Sequence, residues 1–209
     1  VPNVACWVSR PKTGGVSGAV GLAEDPSVAS IACRQRGQLV LPDGWKRQLL
    51  KETPNAIAAL TKSGTRILLP EATRRKLGKG EVLKHGAPLD AAGIGVLAVP
   101  AYNVTPGRTN YHPKDRRDNG YVITLGSLRI YVAGDTEPIP EMADLGSIDI
   151  AFLPMNQPYT MTPEQTAAAA KVIKPKILYP YHFGSTDTGA LTRLLADDKN
   201  IDVRIRNLQ

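Results

Sequence analysis

Two apolar runs, Arg129–Val132 and Lys176–Tyr179, each stop three residues short of a potential metal ligand, Asp135 and His182 respectively. Both runs are rich in β-branched and aromatic side chains, so they are predicted to be buried strands. A fold that contains them must bring a carboxylate and an imidazole to the C-terminal ends of strands in one sheet. That requirement points to a layered α/β domain with a polar edge.

The punctuation after residue 50 agrees. Thr53 as N-cap, Pro54 at the first helical position and Gly64 as stop predict a helix through Ala56-Ile57-Ala58-Ala59-Leu60. Arg66–Leu69 reads as a strand, Pro70–Leu77 as a helix ended by Gly78, and Glu81–Lys84 and Gly95–Ala101 as strands. Residues 102–119 form a polar, proline-bearing loop, long enough to carry function rather than mere connection, and it contains His112. Gly126-Ser127 is predicted to turn a hairpin between Gly120–Leu125 and Leu128–Ala133. Ile148–Leu153 is a further buried strand. Thr162 with Pro163 starts an Ala-rich helix that runs to Ile173, Asp187–Lys199 reads as a last helix and Ile201–Ile205 as a last strand. Before Arg47 there is little sustained period, and short strands are all that it suggests. Strands alternating with crossover helices fit an α/β domain built in layers.

Composition excludes several classes. With 209 residues and 42% hydrophobic content the chain is long enough for a packed core, read as a single domain over 1–209 with an atypical part at 1–50. No window approaches the ~20 apolar residues of a membrane span, so a soluble, cytoplasmic protein with no membrane partner is expected. Cys6 and Cys33 are too few and too separated for a disulfide framework or a thiolate zinc site. The net charge of +7 is unevenly placed: residues 1–80 hold 13 Lys+Arg against 5 Asp+Glu, and residues 81–209 hold 13 against 14. Lys46-Arg47 and Arg74-Arg75-Lys76 could meet nucleic acid by releasing counterions. A solvated helix face explains them more simply, because no aromatic residues interleave. His85, in Lys84-His85-Gly86, reads as a surface turn residue.

The order of several short segments is specific. Val99-Pro100-Ala101-Tyr102-Asn103, Tyr111-His112-Pro113-Lys114, Gly120-Tyr121-Val122-Ile123, Ala133-Gly134-Asp135-Thr136, Phe152-Leu153-Pro154, Tyr159-Thr160-Met161 and Tyr179-Pro180-Tyr181-His182-Phe183-Gly184 follow one another as they do in the metallo-β-lactamase superfamily. The chain resembles most the branch of metal-dependent hydrolases in which an Ala-Tyr-Asn segment precedes a His-Pro-Lys segment. The resemblance covers roughly residues 55–209 and implies a four-layer αββα sandwich with metal at one edge of the packed sheets. It implies that Asp135 bridges metal ions and that His182 is a late imidazole ligand. The ion would be zinc, with manganese or iron as alternatives, activating a hydroxide toward a carbonyl or phosphoryl centre of a small-molecule substrate. His112 is the third candidate for the chemistry. Asn103, where many relatives have a ligand histidine, and Tyr159 are candidates for the substrate pocket.

The sequence departs from the family at its main metal-binding signature. A His-x-His-x-Asp-His run should stand near residues 44–49, where the chain reads Gly44-Trp45-Lys46-Arg47-Gln48-Leu49, and no histidine precedes His85. Three origins fit: a member that kept the fold and lost the chemistry, a divergent or rearranged residues 1–50, or a frame change upstream of residue 50. The function classes in play are therefore a metal-dependent hydrolase, a non-catalytic binding protein on the same fold, and a nucleic-acid-processing relative.

Overall fold

The computed structural model describes residues 65–206 apart from 92, residue 208, and the backbone of three short strands nearer the N-terminus. The strands are β1 (Cys6–Ser9), β2 (Ala19–Leu22), β3 (Gln38–Val40), β4 (Arg66–Leu69), β5 (Glu81–Val82), β6 (Pro88–Asp90), β7 (Ile94–Ala101), β8 (Asp118–Leu125), β9 (Leu128–Val132), β10 (Ile150–Pro154), β11 (Ile177–Tyr181) and β12 (Asp202–Val203). The α-helices are α1 (Glu71–Leu77), α2 (Pro163–Ile173) and α3 (Thr188–Leu194). The helix expected from Thr53 to Gly64, and most of the strands expected before Arg47, lie outside the described residues.

Seven strands form one mixed sheet in the order β12-β11-β10-β9-β8-β7-β6. Its half from β9 to β12 is parallel, and the hairpins β6-β7, β7-β8 and β8-β9 are antiparallel. Inward-facing residues divide between two cores, as the period of two along a strand requires. On one face Val122, Tyr131, Ala151, Leu153 and Leu178 pack with Ala167, Ala170 and Ile173 of α2 and Leu191 of α3. On the other, Val96, Ile123, Ile130 and Phe152 pack with Leu68 of β4 and with Leu83. Strand β4 belongs to a second sheet, β3-β4-β5, with parallel pairing and α1 as the crossover from β4 to β5. Helices on one face of a large sheet, and a second sheet with its crossover helix on the other, give the layer order expected of the αββα fold.

Local chemistry explains the boundaries. The Thr162 hydroxyl accepts the Gln165 N–H at 3.1 Å while the Gln165 side chain takes the Thr162 N–H at 3.0 Å, a reciprocal capping box that starts α2. Gly78 in the left-handed region stops α1, whose residues are none of them buried. Arg75 on α1 pairs with Glu71 at 3.0 Å, so the basic helix carries a solvated face.

Some expected boundaries are corrected. The last helix ends at Leu194, not Lys199, because the following turn at Asp197-Asp198 closes on itself through Asp198 N–H to Leu195 O at 3.0 Å. Strand β8 begins at Asp118, inside the stretch read as loop, since residues 118–119 already pair with Ala101 and Pro100. Strand β5 stops at Val82, and the strand expected over residues 201–205 is reduced to Asp202–Val203. His85 is half-buried rather than a free surface residue: it bridges to Ala98, and its Nε2 lies 3.0 Å from the Asp118 carbonyl.

Candidate active site

Five neighbouring strands converge on one edge of the large sheet. The parallel strands β9, β10 and β11 end there and are followed by Asp135, Asn156 and His182. Antiparallel β8 starts there at Asp118, and β7 ends there just before Asn103. Ligands gather at the carboxyl ends of parallel strands because the loops that leave those ends all lie on one side. The approach is tight where β8 meets β9. A Cβ on Gly120 would stand 2.7 Å from the Ala133 carbonyl oxygen and 3.0 Å from that of Val132.

Asp135 lies at the centre, 2% exposed. Its Oδ1 is 2.9 Å from His182 Nδ1 and its Oδ2 is 3.7 Å from His112 Nε2. His182 has φ 47, a left-handed backbone that a non-glycine residue adopts only under constraint. That constraint is visible: its N–H donates to the Leu208 carbonyl at 2.8 Å, and the preceding Tyr181 hydroxyl donates to the Gly134 carbonyl at 2.7 Å. On the far side of the ring, the Asn156 amide nitrogen donates to Nε2 at 3.1 Å, which suits a neutral ring. A protonated His182 would require Asn156 to present its oxygen instead.

His112 is held from the other side. Arg116 Nη2 is 2.9 Å from His112 Nδ1, and the same guanidinium pairs with the fully buried Asp118. Asn103 is buried as well. Its N–H donates to the His112 carbonyl at 2.8 Å, and its amide donates to the carbonyls of Tyr159 and Arg108 at 2.8 and 3.1 Å. Its side-chain oxygen has no hydrogen-bond partner among the described residues. Tyr159 thus holds Asn103 through its backbone, while its ring is exposed and meets the Tyr111 ring edge-on at 4.9 Å. The two tyrosines form an aromatic rim beside His112.

The loop that carries these groups is tied to β9 by buried polar contacts. Thr136 Oγ1 accepts the Tyr102 N–H at 3.0 Å, and the Glu137 N–H donates to the Tyr102 carbonyl at 3.0 Å. The Glu137 carboxylate is fully buried: its Oε2 accepts the N–H groups of Val104 and Thr105 at 2.8 and 2.6 Å, and its Oε1 lies 2.7 Å from Arg108 Nη2 as an ion pair without hydrogen-bond alignment. The opposite charge offsets the cost of burying the carboxylate.

All five residues singled out from the sequence therefore lie at this edge: Asp135 between His182 at 2.9 Å and His112 at 3.7 Å, with Asn103 and Tyr159 beside them. Arg116, Asp118, Asn156 and Glu137 were missed. Arg116 and Asp118 sit in a run of charges, Lys114-Asp115-Arg116-Arg117-Asp118, in which nothing local separates the inward pair from the outward ones.

The charges respond to one another. Burial would raise the Asp135 pKa, but the His182 and His112 imidazoles and Arg116 outweigh it and hold the carboxyl below its ordinary range. Burial disfavours charge on His182, yet its contact with Asp135 more than offsets this and raises its pKa. For His112 burial prevails, aided by Arg116 and His182 against Asp135 and Asp118, and its pKa falls.

A stability window follows. Asp135, depressed in the fold, contributes stability that is present above its unfolded pKa and lost as pH falls through the depressed value. His182, raised, contributes stability that is complete below its unfolded pKa and lost as pH rises through the raised value. In chelator-treated protein the stability lost in His182→Gln should be largest between about pH 4 and 6.5, from the unfolded reference pKa values, and shrink above them. Urea unfolding at a series of pH values checks this; a difference flat into the alkaline range would contradict it.

Comparison with known proteins places this edge in context. Residues 31–182 match the β-lactamase superfamily domain, and residues 1–59 match the CreA protein family. A UPF0173 metal-dependent hydrolase from Symbiobacterium thermophilum is 43% identical over 72 residues, 32% of this chain and 32% of that protein. Protein CreA from Escherichia coli is 58% identical over 46 residues, 22% of this chain and 29% of that protein. Thus the chain spans less than half the length of the curated relatives it matches. A crystal structure from Parabacteroides distasonis, of a protein assigned as a metal-dependent hydrolase, superposes with TM-score 0.77 at 53% identity, covering 82% of this chain and 76% of that one. The stretch 44–49, where the histidine signature would stand, falls inside the CreA match as well as the start of the superfamily match. Since the superfamily match runs through every strand that delivers a group to this edge, and the fold is shared with a solved relative at 53% identity, the chain belongs to the metallo-β-lactamase superfamily.

Proposed function

We propose that the chain is a metal-dependent hydrolase acting on a small-molecule substrate at the edge formed by Asp135, His182 and His112. The observation that carries this reading is the Asp135 carboxylate, 2% exposed and flanked by imidazoles at 2.9 and 3.7 Å. A carboxylate with an imidazole is the donor chemistry of zinc, with manganese or iron as alternatives. Asp135 and His182 fit a metal in kind and would hold it. In number they fall short, because among the described residues no three His, Cys, Asp or Glu side chains are placed to hold one ion together. A divalent ion held there would supply Lewis acidity toward a carbonyl or phosphoryl oxygen.

The chain's own residues do the rest. Asp135, kept ionised by its neighbours, serves as an anionic ligand or proton acceptor and not as an acid. Asn103 and the Tyr111–Tyr159 rim shape the place where a substrate would lie, and the Glu137–Arg108 pair holds the loop that carries Asn103. Among the described residues no helix is long and apolar enough to cross a membrane. The resemblance of relatives assigned as metal-dependent hydrolases supports the same class of reaction.

Purification without chelator, followed by metal analysis and assay against esters, thioesters, lactones and phosphodiesters, tests the proposal. The expected result is a divalent ion retained on the protein and hydrolysis of at least one class, both lost with EDTA. A folded protein with no ion and no hydrolysis would sink it. The absent histidine signature favours that second reading, a non-catalytic binding protein, and the same experiment decides between them.

A further inference from the structure

We propose that Arg116 fixes His112 as an Nε2–H hydrogen-bond donor for a substrate oxygen, so that His112 is not a metal ligand. Hydrogen-bond direction at Nδ1 decides the tautomer. A guanidinium has five N–H groups and no acceptor. Arg116 Nη2 at 2.9 Å from His112 Nδ1 therefore requires a bare lone pair on Nδ1, and the proton of the neutral ring must lie on Nε2. Arg116 is itself held against rotation, because it also pairs with the buried Asp118 and donates to the Tyr111 carbonyl at 3.0 Å. The other tautomer would put Nδ1–H against a donor, and its alternative acceptor, Asp118 Oδ2, stands 4.0 Å away.

The Nε2–H then faces Asp135 Oδ2 at 3.7 Å, beyond hydrogen-bond reach. It is directed at the carboxylate proposed to hold metal but is not consumed by it. A nitrogen that carries a proton has no lone pair for a metal, whereas a fixed N–H beside the reacting centre can stabilise charge that develops on a substrate oxygen. The nearby Asn103 backbone N–H, bonded to the His112 carbonyl at 2.8 Å, keeps the residue in register. His112 is thus the substrate-touching group and Arg116 a positioning residue.

This inference rests on reading the edge as an active site, but its first test needs neither metal nor turnover. Nitrogen-15 spectra of histidine-labelled, chelator-treated protein, assigned with His112→Gln, report which ring nitrogen is protonated. The expected result at neutral to mildly alkaline pH is Nε2 protonated and Nδ1 bare in the wild type. Arg116→Leu should shift His112 toward the Nδ1–H form or a tautomer mixture, and Arg116→Gln, which keeps a donor, should preserve the wild-type state. A wild-type ring protonated on Nδ1, or on both nitrogens, overturns the proposal, and that measurement stands even if Arg116→Leu fails to fold. An unchanged tautomer in folded Arg116→Leu overturns the role of Arg116. On cobalt-loaded protein, visible absorption should change in His182→Gln and persist in His112→Gln; loss in His112→Gln would make His112 a ligand and overturn the inference.

Discussion

Asp135→Asn is expected to lower the denaturant midpoint at neutral pH and to bind divalent metal more than about 100-fold more weakly. The first part follows from the depressed pKa: the ionised carboxyl contributes stability at every pH above its unfolded value, and the variant loses that contribution. An amide oxygen can still accept from His182 Nδ1, now 2.9 Å from the carboxylate, which keeps the hydrogen bond but not the charge. The second part follows from charge: partners one shell outside a metal typically cost 10–100-fold when removed, so a direct anionic ligand should cost more than about 100-fold. Isothermal titration with zinc, paired with urea unfolding of both proteins, separates the two effects. Equal zinc affinity in the two proteins would remove Asp135 from the metal site. A collapse of stability alone would make it a structural residue.

Gly120→Ala should cost more than about 2 kcal/mol, a large effect for one methyl group. The added Cβ would meet not a flexible side chain but backbone: the Ala133 carbonyl oxygen at 2.7 Å, the Val132 carbonyl oxygen at 3.0 Å and the Ala133 carbonyl carbon at 3.1 Å. Strand β9 cannot retreat, since its other edge is paired with β10 through Ile130, Tyr131 and Val132. Relief must therefore come from a shift of residues 133–135, so the His182–Asp135 contact should loosen together with the fold. Denaturant midpoints measure the first consequence, and the pH dependence of unfolding measures the second. A loss below about 0.5 kcal/mol, the range of an ordinary surface change, would show that the close approach is not a constraint.

The fold was legible where a hydrophobic pattern and its stop signals coincide. The strands β9 and β11 and helix α2 begin and end within a residue or two of expectation, because apolar period, Thr-Pro capping and turn glycines all act locally. Short terminal elements were not: β12 keeps two paired residues out of an expected five, and its length is set by what β11 offers as a partner. His85 likewise looked like a turn residue, and only the return of β8 brings the Asp118 carbonyl to its ring. The N-terminal stretch read as irregular matches a second family, an origin that composition could not reveal.

The same division holds for the candidate site. Asp135 and His182 could be named from the chain alone, because each ends a strand-like apolar run in a family-like order. Their 2.9 Å contact, across 47 positions of sequence, depends on β9, β10 and β11 lying parallel and in register. Arg116 was one cation in a charged run until the fold turned it toward Asp118 and His112, half-buried. Side-chain type and local period are written residue by residue, so they decide which groups are available and where strands start. Tautomer, proton affinity and the choice between ligand and donor depend on neighbours that are remote in sequence, and those exist only once the sheet is assembled.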